Sequence, residues 1–175
     1  MAMDPSLALA ALLRLANADA DREKPPEARI AWLWPVAVVA AKVSRNRWEL
    51  ARLLALGAHE AHYEENVVAG RCHLSRWKCD NGHARSPWSV HPWCRRAWAL
   101  PDGSQEALEE AAACAVRMLR WAALRGRGHA ATPDHAAFAG YAARPWSWGG
   151  ADERVRTTLK VDRMLAELAA SVGAK

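Results

Sequence analysis

The sequence predicts a mainly α-helical fold with a loop-rich insertion or small hairpin. Of its 175 residues, 51% are hydrophobic, so the chain can bury a substantial core. Alanine is the dominant small residue while Val, Ile and Thr are sparse, and this balance favours helices over strands. Apolar residues also recur at helical spacing in several segments. We expect residues 1–27 to form an N-terminal helix and polar linker, and residues 28–175 to form the main domain.

Three helices are predicted in the first third of the chain. The first is expected to run from Ser6, a suitable N-cap, to about Asn17. After the linker, a buried helix is predicted over residues 28–42, and its apolar run is too short to span a bilayer. Asn46 can cap the third helix, which is predicted over residues 47–63.

The following segment, residues 64–101, is predicted to be irregular. It carries four Trp, three Cys, three His and three Pro and shows no sustained helical period. Asp102 or Ser104 can cap the long helix that comes next. A glycine is expected to end this helix. Thr132 can start a short helix, and the last helix is predicted over residues 151–171.

The net charge and the tryptophan content indicate which classes of molecule the protein could bind, but they do not select one. The formal net charge is +5, and the chain has ten Trp but one Phe. A basic protein is drawn to anionic polymers such as nucleic acid, teichoic acid or the stem peptides of peptidoglycan. The positive residues are scattered and form no basic tail. Tryptophan suits sugar stacking, although most tryptophans in a globular domain fill its core.

Glu60 is the carboxylate that we expect to perform chemistry. On a helical wheel it lies in the apolar stripe with Leu53 and Leu56, close to the end of its helix. Both features disfavour an ionised carboxylate, and a carboxylic acid that keeps its proton near neutral pH can protonate a glycosidic oxygen. An ordinary helix-end glutamate in solvent is the alternative. Glu49 lies on the same face three turns earlier, so the wheel does not by itself single out Glu60.

Four short motifs, taken in order, carry a family resemblance. An apolar helical segment that delivers a Glu occupies residues 53–63, and a Gly-containing segment with Pro-Trp-Ser-Val at its end occupies residues 82–90. A Phe-Ala-Gly-Tyr sequence follows at residues 138–141, and an Arg-containing segment at residues 153–156. Their order and spacing, over roughly residues 47–168, resemble the soluble lytic transglycosylase and goose-type lysozyme superfamily, including its phage-type members.

The resemblance implies a lysozyme-like helical domain that cleaves the MurNAc–GlcNAc β-1,4 bond of peptidoglycan. In such an enzyme Glu60 would be the catalytic acid and then the base, with Tyr141 beside it. Ser89, Trp88 and His91 would line the sugar cleft. The alternative is a basic structural protein that binds cell wall or DNA and retains the fold without catalysis.

The chain departs from the family pattern at three polar positions. Ala61 stands where the family usually has Ser, Ser89 where it usually has Gln, and Ala142 where many members have Asn. Those polar groups normally orient the substrate or the catalytic Glu. Their replacement leaves open whether the reaction is hydrolysis or transglycosylation.

Glu64, Glu65 and Asp80 are candidates for a second carboxylate, and none has a clear claim. An inverting hydrolase needs two carboxyl groups roughly 6.5–9.5 Å apart. A lytic transglycosylase, as the resemblance implies, needs one Glu, because the C6 hydroxyl of the sugar attacks and gives a 1,6-anhydro product. We therefore predict anhydro products.

The four cysteines are predicted to form two disulfides, Cys72–Cys79 and Cys94–Cys114. An even number of cysteines in a loop-rich, wall-exposed protein favours this, and the first pair can close a local hairpin. A zinc site of the three loop cysteines with His83, or four free thiols, are the alternatives. The spacing lacks the close cysteine pair typical of zinc sites, and we expect no metal or cofactor.

The N-terminus is predicted to be an amphipathic helix. Residues 7–20 are apolar and end like a signal-peptidase site, but Asp4 precedes them with no basic residue, and Arg14 interrupts them. With the family resemblance, this favours a bacteriophage product, either an endolysin or a virion-associated enzyme, that acts in the periplasm or cell wall. The expected partner is the peptidoglycan glycan strand; nucleic acid and a membrane span are not expected.

Overall fold

The predicted mainly α-helical fold is confirmed. The structure is a computed structural model that describes residues 3–15, 24–75 and 79–173. The helices within this part of the chain are α1 (Pro5–Leu15), α2 (Pro26–Val43), α3 (Arg47–Glu60), α4 (Glu65–Val68), α5 (Arg95–Ala99), α6 (Gln105–Arg125), α7 (Pro133–Tyr141) and α8 (Gly150–Gly173). None of them is both long enough and apolar enough to cross a membrane.

Three predicted helix starts coincide with the observed caps. The side chains of Asn46, Ser104 and Thr132 each accept a hydrogen bond from the backbone N–H three residues later, at 2.9, 3.1 and 3.3 Å. Ser104, and not Asp102, therefore caps α6. Each cap satisfies a backbone donor that the first turn of a helix leaves unpaired.

The first two helices correct the predicted boundaries. Asp4, and not Ser6, caps α1, because its Oδ1 accepts the Ser6 backbone N–H at 2.8 Å. Its predicted end at Asn17 lies outside the described residues. Pro26 and Glu27 fall in the predicted linker but belong to the first turn of α2. Proline is tolerated there because the backbone N–H groups of a first turn have no partner within the helix.

One hydrophobic core joins all the long helices. It includes Leu12 of α1, Leu33 of α2, Leu50 of α3 and Leu165 of α8, each almost fully buried. Burying a leucine side chain contributes about 1.5–3 kcal/mol, so α1 is an integral part of this core. Small residues allow α6 and α7 to pack closely against each other. A methyl group added at Gly140 would lie 2.5 Å from the Ala122 methyl, so a larger residue would push the two helices apart.

The predicted loop-rich insertion is present between α3 and α6. It contains the two short helices α4 and α5 and a 3₁₀ turn at Cys72–Leu74. Arg85 and Val90 form an isolated antiparallel bridge, with backbone hydrogen bonds of 3.0 and 2.9 Å. The bridge closes the tight turn that contains Ser86 and Ser89, both in the left-handed backbone region. The described residues of the insertion contain this one bridge and no strand, so the insertion is loop-rich, as predicted, and the alternative of a small hairpin does not form there.

Both predicted disulfides are confirmed. Cys72 pairs with Cys79 and Cys94 with Cys114, at Cα–Cα separations of 5.5 and 6.1 Å. All four sulfurs are used, so the alternatives of free thiols and of a zinc site with His83 are wrong. The second bond ties the end of the insertion to α6.

Candidate active site

An open cleft of about 780 Å³ lies between the end of α3, the insertion, the end of α7 and the start of α8. Its wall includes the small side chains of Ala61 and Ala142. The side chains able to bind or react with a ligand there are Glu60, Asp80, Ser89, His91, Trp93, Tyr141, Arg144, Trp148 and Arg154. Five of them, namely Glu60, Asp80, Ser89, His91 and Tyr141, are predicted site residues.

Glu60 is the last residue of α3 and points into this cleft. The predicted end of the helix at Tyr63 is wrong, because His62 and Tyr63 adopt left-handed φ angles of 51° and 52°. Left-handed backbone is unfavourable for residues other than glycine, so tertiary contacts must hold this turn. The early end leaves Glu60 at the margin of the core, with a side chain that is 21% exposed.

The turn after Glu60 is held by the buried ring of Tyr63. Its hydroxyl donates to the Leu54 carbonyl at 2.9 Å, and its own carbonyl accepts the indole N–H of Trp32 at 3.2 Å. Burial raises the pKa of the Tyr63 phenol, which therefore stays a neutral donor. The ring lies directly against Gly57, where any side chain would collide with it. The last turn of α3 is thus fixed on the side that faces the core.

Trp88 does not line the cleft as predicted; it is completely buried. Its indole N–H donates to the Leu53 carbonyl at 3.1 Å. Tryptophan is well suited to this position. Its large apolar ring is stabilised by burial, and its one donor, the indole N–H, has the carbonyl as its hydrogen-bond partner. Trp88 therefore connects the 85–90 turn to α3 and acts on the cleft through its position.

Tyr141 lies beside Glu60, as the resemblance implies. Burial and then the negative charge of Glu60 raise the pKa of its phenol. The hydroxyl donates to the Trp88 carbonyl at 2.6 Å. Tyr141 therefore joins α7 to the turn that carries Ser89, which lines the cleft with a φ of 49°.

Arg154 is the immediate partner of Glu60. Its Nη2 lies 3.0 Å from Glu60 Oε1, and its Nη1 donates to the Gly150 carbonyl at 3.3 Å. The guanidinium also stacks on the Trp148 ring, 4.7 Å from the ring centroid. Charge-assisted pairing of this kind is short and directional, so it sets the orientation of the Glu60 carboxylate.

The other carboxylates fall into two groups. Asp80 lines the cleft, with its Oδ2 3.9 Å from His91 Nε2. Glu64 is buried away from the cleft, and Glu65 forms ion pairs on α4 with Lys24 and Arg71. Asp80 is therefore the one candidate second carboxylate that shares the cleft with Glu60.

Glu49, which shares the apolar stripe of α3, has a structural role. Its two carboxylate oxygens accept hydrogen bonds from Arg120 of α6, each at 2.7 Å. It also accepts the Arg45 backbone N–H at 2.8 Å. These contacts lower the pKa of Glu49, the Arg120 hydrogen bond most of all. Glu60 lines the cleft and Glu49 does not, so Glu60 is the one of the two that a ligand in the cleft could reach.

Comparison with known proteins adds nothing to this geometry. No family model, curated protein or solved structure matches the chain. Within the described residues, no cluster of three or more His, Cys, Asp or Glu side chains could hold a metal ion.

Four residues of the cleft were not expected from the sequence as site residues. One is Arg154, which the sequence analysis placed only within the Arg-containing segment 153–156. Trp93, Arg144 and Trp148 lie in irregular segments, where no periodic pattern shows which way a side chain points. Tryptophan and arginine in an aperiodic loop are the residue types enriched at binding surfaces, and that signal could have indicated them.

Proposed function

We propose that this chain cleaves the glycan strands of peptidoglycan at the MurNAc–GlcNAc β-1,4 bond, with Glu60 as the acid and then the base. The observation that carries the proposal is the position of Glu60, at the end of a helix and inside a large open cleft. Trp93 is 46% exposed there, and with Trp148 it offers flat aromatic faces of the kind that pack against sugar rings. The proposed setting is bacteriophage lysis or entry.

The proposed reaction needs only one carboxyl group. The protonated carboxyl of Glu60 gives its proton to the glycosidic oxygen as the bond from that oxygen to C1 of MurNAc breaks. The resulting carboxylate takes the proton of the C6 hydroxyl of the same MurNAc, and O6 bonds to C1. The products are a 1,6-anhydro end and a GlcNAc with a free 4-hydroxyl, and the enzyme regains its proton.

The ion pair between Glu60 and Arg154 has to open during this cycle, because a protonated carboxyl no longer forms one. Arg154 can keep its place when it does so, since it also bonds the Gly150 carbonyl and stacks on Trp148. Its positive charge then lies close to the sugar. There it would stabilise the carboxylate that forms as the proton leaves.

Wall lysis by a Glu60→Gln variant tests the assignment. We expect lysis to disappear, because the amide cannot donate the proton, while the unfolding transition stays close to that of the wild type. Glu65→Gln is the matched control, since Glu65 lies on the surface outside the cleft and should be dispensable. The assay is zymography on purified sacculi, and undiminished lysis by Glu60→Gln would remove Glu60 from the mechanism.

Mass analysis of digested peptidoglycan tests the type of reaction. We expect anhydro-muropeptides as the main product and an Asp80→Asn variant that retains most of its activity. A hydrolase would use Asp80 as its second carboxylate and would give reducing ends. Reducing ends, together with collapse of activity in Asp80→Asn, would reverse the prediction.

A basic protein that binds wall or DNA without catalysis is the second candidate. The alanines at positions 61 and 142 favour it, because they remove polar groups from the cleft wall. This function predicts tight binding to sacculi with no release of fragments. Binding to DNA would instead give a gel shift that weakens steeply with salt, since phosphate contacts release counterions.

A further inference from the structure

A second, smaller groove of about 190 Å³ opens beside the cleft. Trp93 lines both, so the two depressions adjoin at its side chain. The polar side chains of the groove are Arg95, Arg96, Arg117 and Glu110. Three arginines against one glutamate make the groove electropositive. The adjoining cleft is lined by Arg144 and Arg154 together with the carboxylates of Glu60 and Asp80.

The arginines of the groove and of the adjoining cleft differ in their partners. Arg95 and Arg117 in the groove and Arg144 in the cleft form no ion pair or side-chain hydrogen bond within the described part of the chain. Arg96 approaches Glu110 at 3.8 Å and is 83% exposed, which makes a weak contact. By contrast, Arg154 has a carboxylate partner at 3.0 Å.

The disulfide between Cys94 and Cys114 joins the two segments that carry Arg95 and Arg117. Arg95 directly follows Cys94, and Arg117 lies one helical turn after Cys114 on α6. The covalent bond therefore presents both arginines on the walls of one groove, with Trp93 at its cleft end. Glu110 is the one carboxylate among the residues that line this groove, so positive charge exceeds negative charge there and a bound anion would be stabilised.

We propose that Arg95 and Arg117, with Arg144, bind the carboxylates of the stem peptides that branch from the glycan strand. This inference rests on the proposed function, because it requires a glycan in the cleft. A stem of about four extended residues spans about 13 Å, enough to leave the cleft past Trp93. Guanidinium groups bind carboxylates by paired hydrogen bonds and suit such peptides better than they suit neutral sugar.

Binding to sacculi tests the proposal without any need for turnover. The Glu60→Gln variant serves as the background, so that the wall is not consumed. Two double variants are made in that background and compared. The test variant carries Arg95→Gln and Arg117→Gln, and the control variant carries Lys160→Gln and Arg163→Gln. The control pair removes two positive charges from a different groove, on α8. Co-sedimentation is measured on Gram-negative sacculi, which lack teichoic acid, before and after an amidase removes the stem peptides.

We expect the Arg95 and Arg117 double variant to bind intact sacculi roughly fivefold more weakly than the background. It would lose two exposed ion pairs with the stem-peptide carboxylates, and each such pair contributes little. On stem-free glycan it should bind equally well, and the control pair should show no stem-dependent loss. Equal losses on both substrates, or no loss on either, would overturn the proposal. Loss confined to walls that carry teichoic acid would assign the groove to phosphate instead.

The same design separates the two proposals. If binding depends on the stem peptides but the wild type releases no fragments, the groove assignment stands and glycan cleavage is refuted. Cleavage by the wild type, with unchanged binding in the arginine variant, would refute the groove assignment alone.

Discussion

Gly57→Ala should destabilise the protein, although local rules predict the opposite. Gly57 is inside α3, where alanine favours the helix by about 1 kcal/mol over glycine. In the folded protein, however, the added methyl group would overlap Cζ and Oη of Tyr63 and lie 2.7 Å from its Cε1. Real side chains do not approach this closely, so either the ring or the helix must move.

The cost follows from how Tyr63 is held. The ring is completely buried and has two rotatable bonds, so it cannot turn aside into solvent. Overpacking of a core costs about 1–3 kcal/mol. Loss of the hydroxyl bond to the Leu54 carbonyl costs about 1 kcal/mol more. After the helix gain is subtracted, the free energy of unfolding should fall by about 1–3 kcal/mol.

Urea denaturation of four proteins measures this effect as a double-mutant cycle. The cycle combines Gly57→Ala with Tyr63→Leu, which removes the ring atoms that collide. We expect Gly57→Ala to destabilise the wild type and to be neutral or stabilising in the Tyr63→Leu background. Wall lysis should also fall in Gly57→Ala, because Glu60 lies in the next turn. Stabilisation of the wild type by alanine at position 57 would refute the close approach of the ring.

Two further predictions concern stability. Replacing Cys94 and Cys114 by Ser should lower the free energy of unfolding by about 3 kcal/mol, because the bond closes a 20-residue separation in the unfolded chain. Glu49→Gln should cost about 2 kcal/mol at pH 7. Because Arg120 lowers the pKa of Glu49, this contribution is complete above the ordinary carboxyl pKa of 4.5 and is lost as the pH falls through the lower pKa of the folded state.

Urea denaturation at a series of pH values checks both. The stability gap between wild type and Glu49→Gln should narrow in acid, below the ordinary carboxyl pKa, and a gap that stays constant there would contradict the role of the ion pair. For the disulfide, non-reducing peptide mapping should recover the Cys94–Cys114 pair. Equal stability of the serine variant would show that the bond does not constrain the unfolded chain.

Features determined by neighbouring residues could be predicted from the sequence. Asn46, Ser104 and Thr132 start their helices as expected, because a cap needs only its own side chain and the first turn. The Cys72–Cys79 pairing could also be predicted, since six intervening residues bring the two sulfurs together without help from the rest of the fold.

The tertiary structure alone decided how the site is assembled. Nothing local ends α3 at Glu60, because no glycine or proline follows it; the buried Tyr63 ring imposes the left-handed turn. Trp88 occurs in an aperiodic segment, so the sequence could not show that its indole bonds a carbonyl 35 residues away. Arg154 reaches Glu60 across 94 residues. Such contacts form only when distant helices pack, and short-range patterns carry no record of that packing.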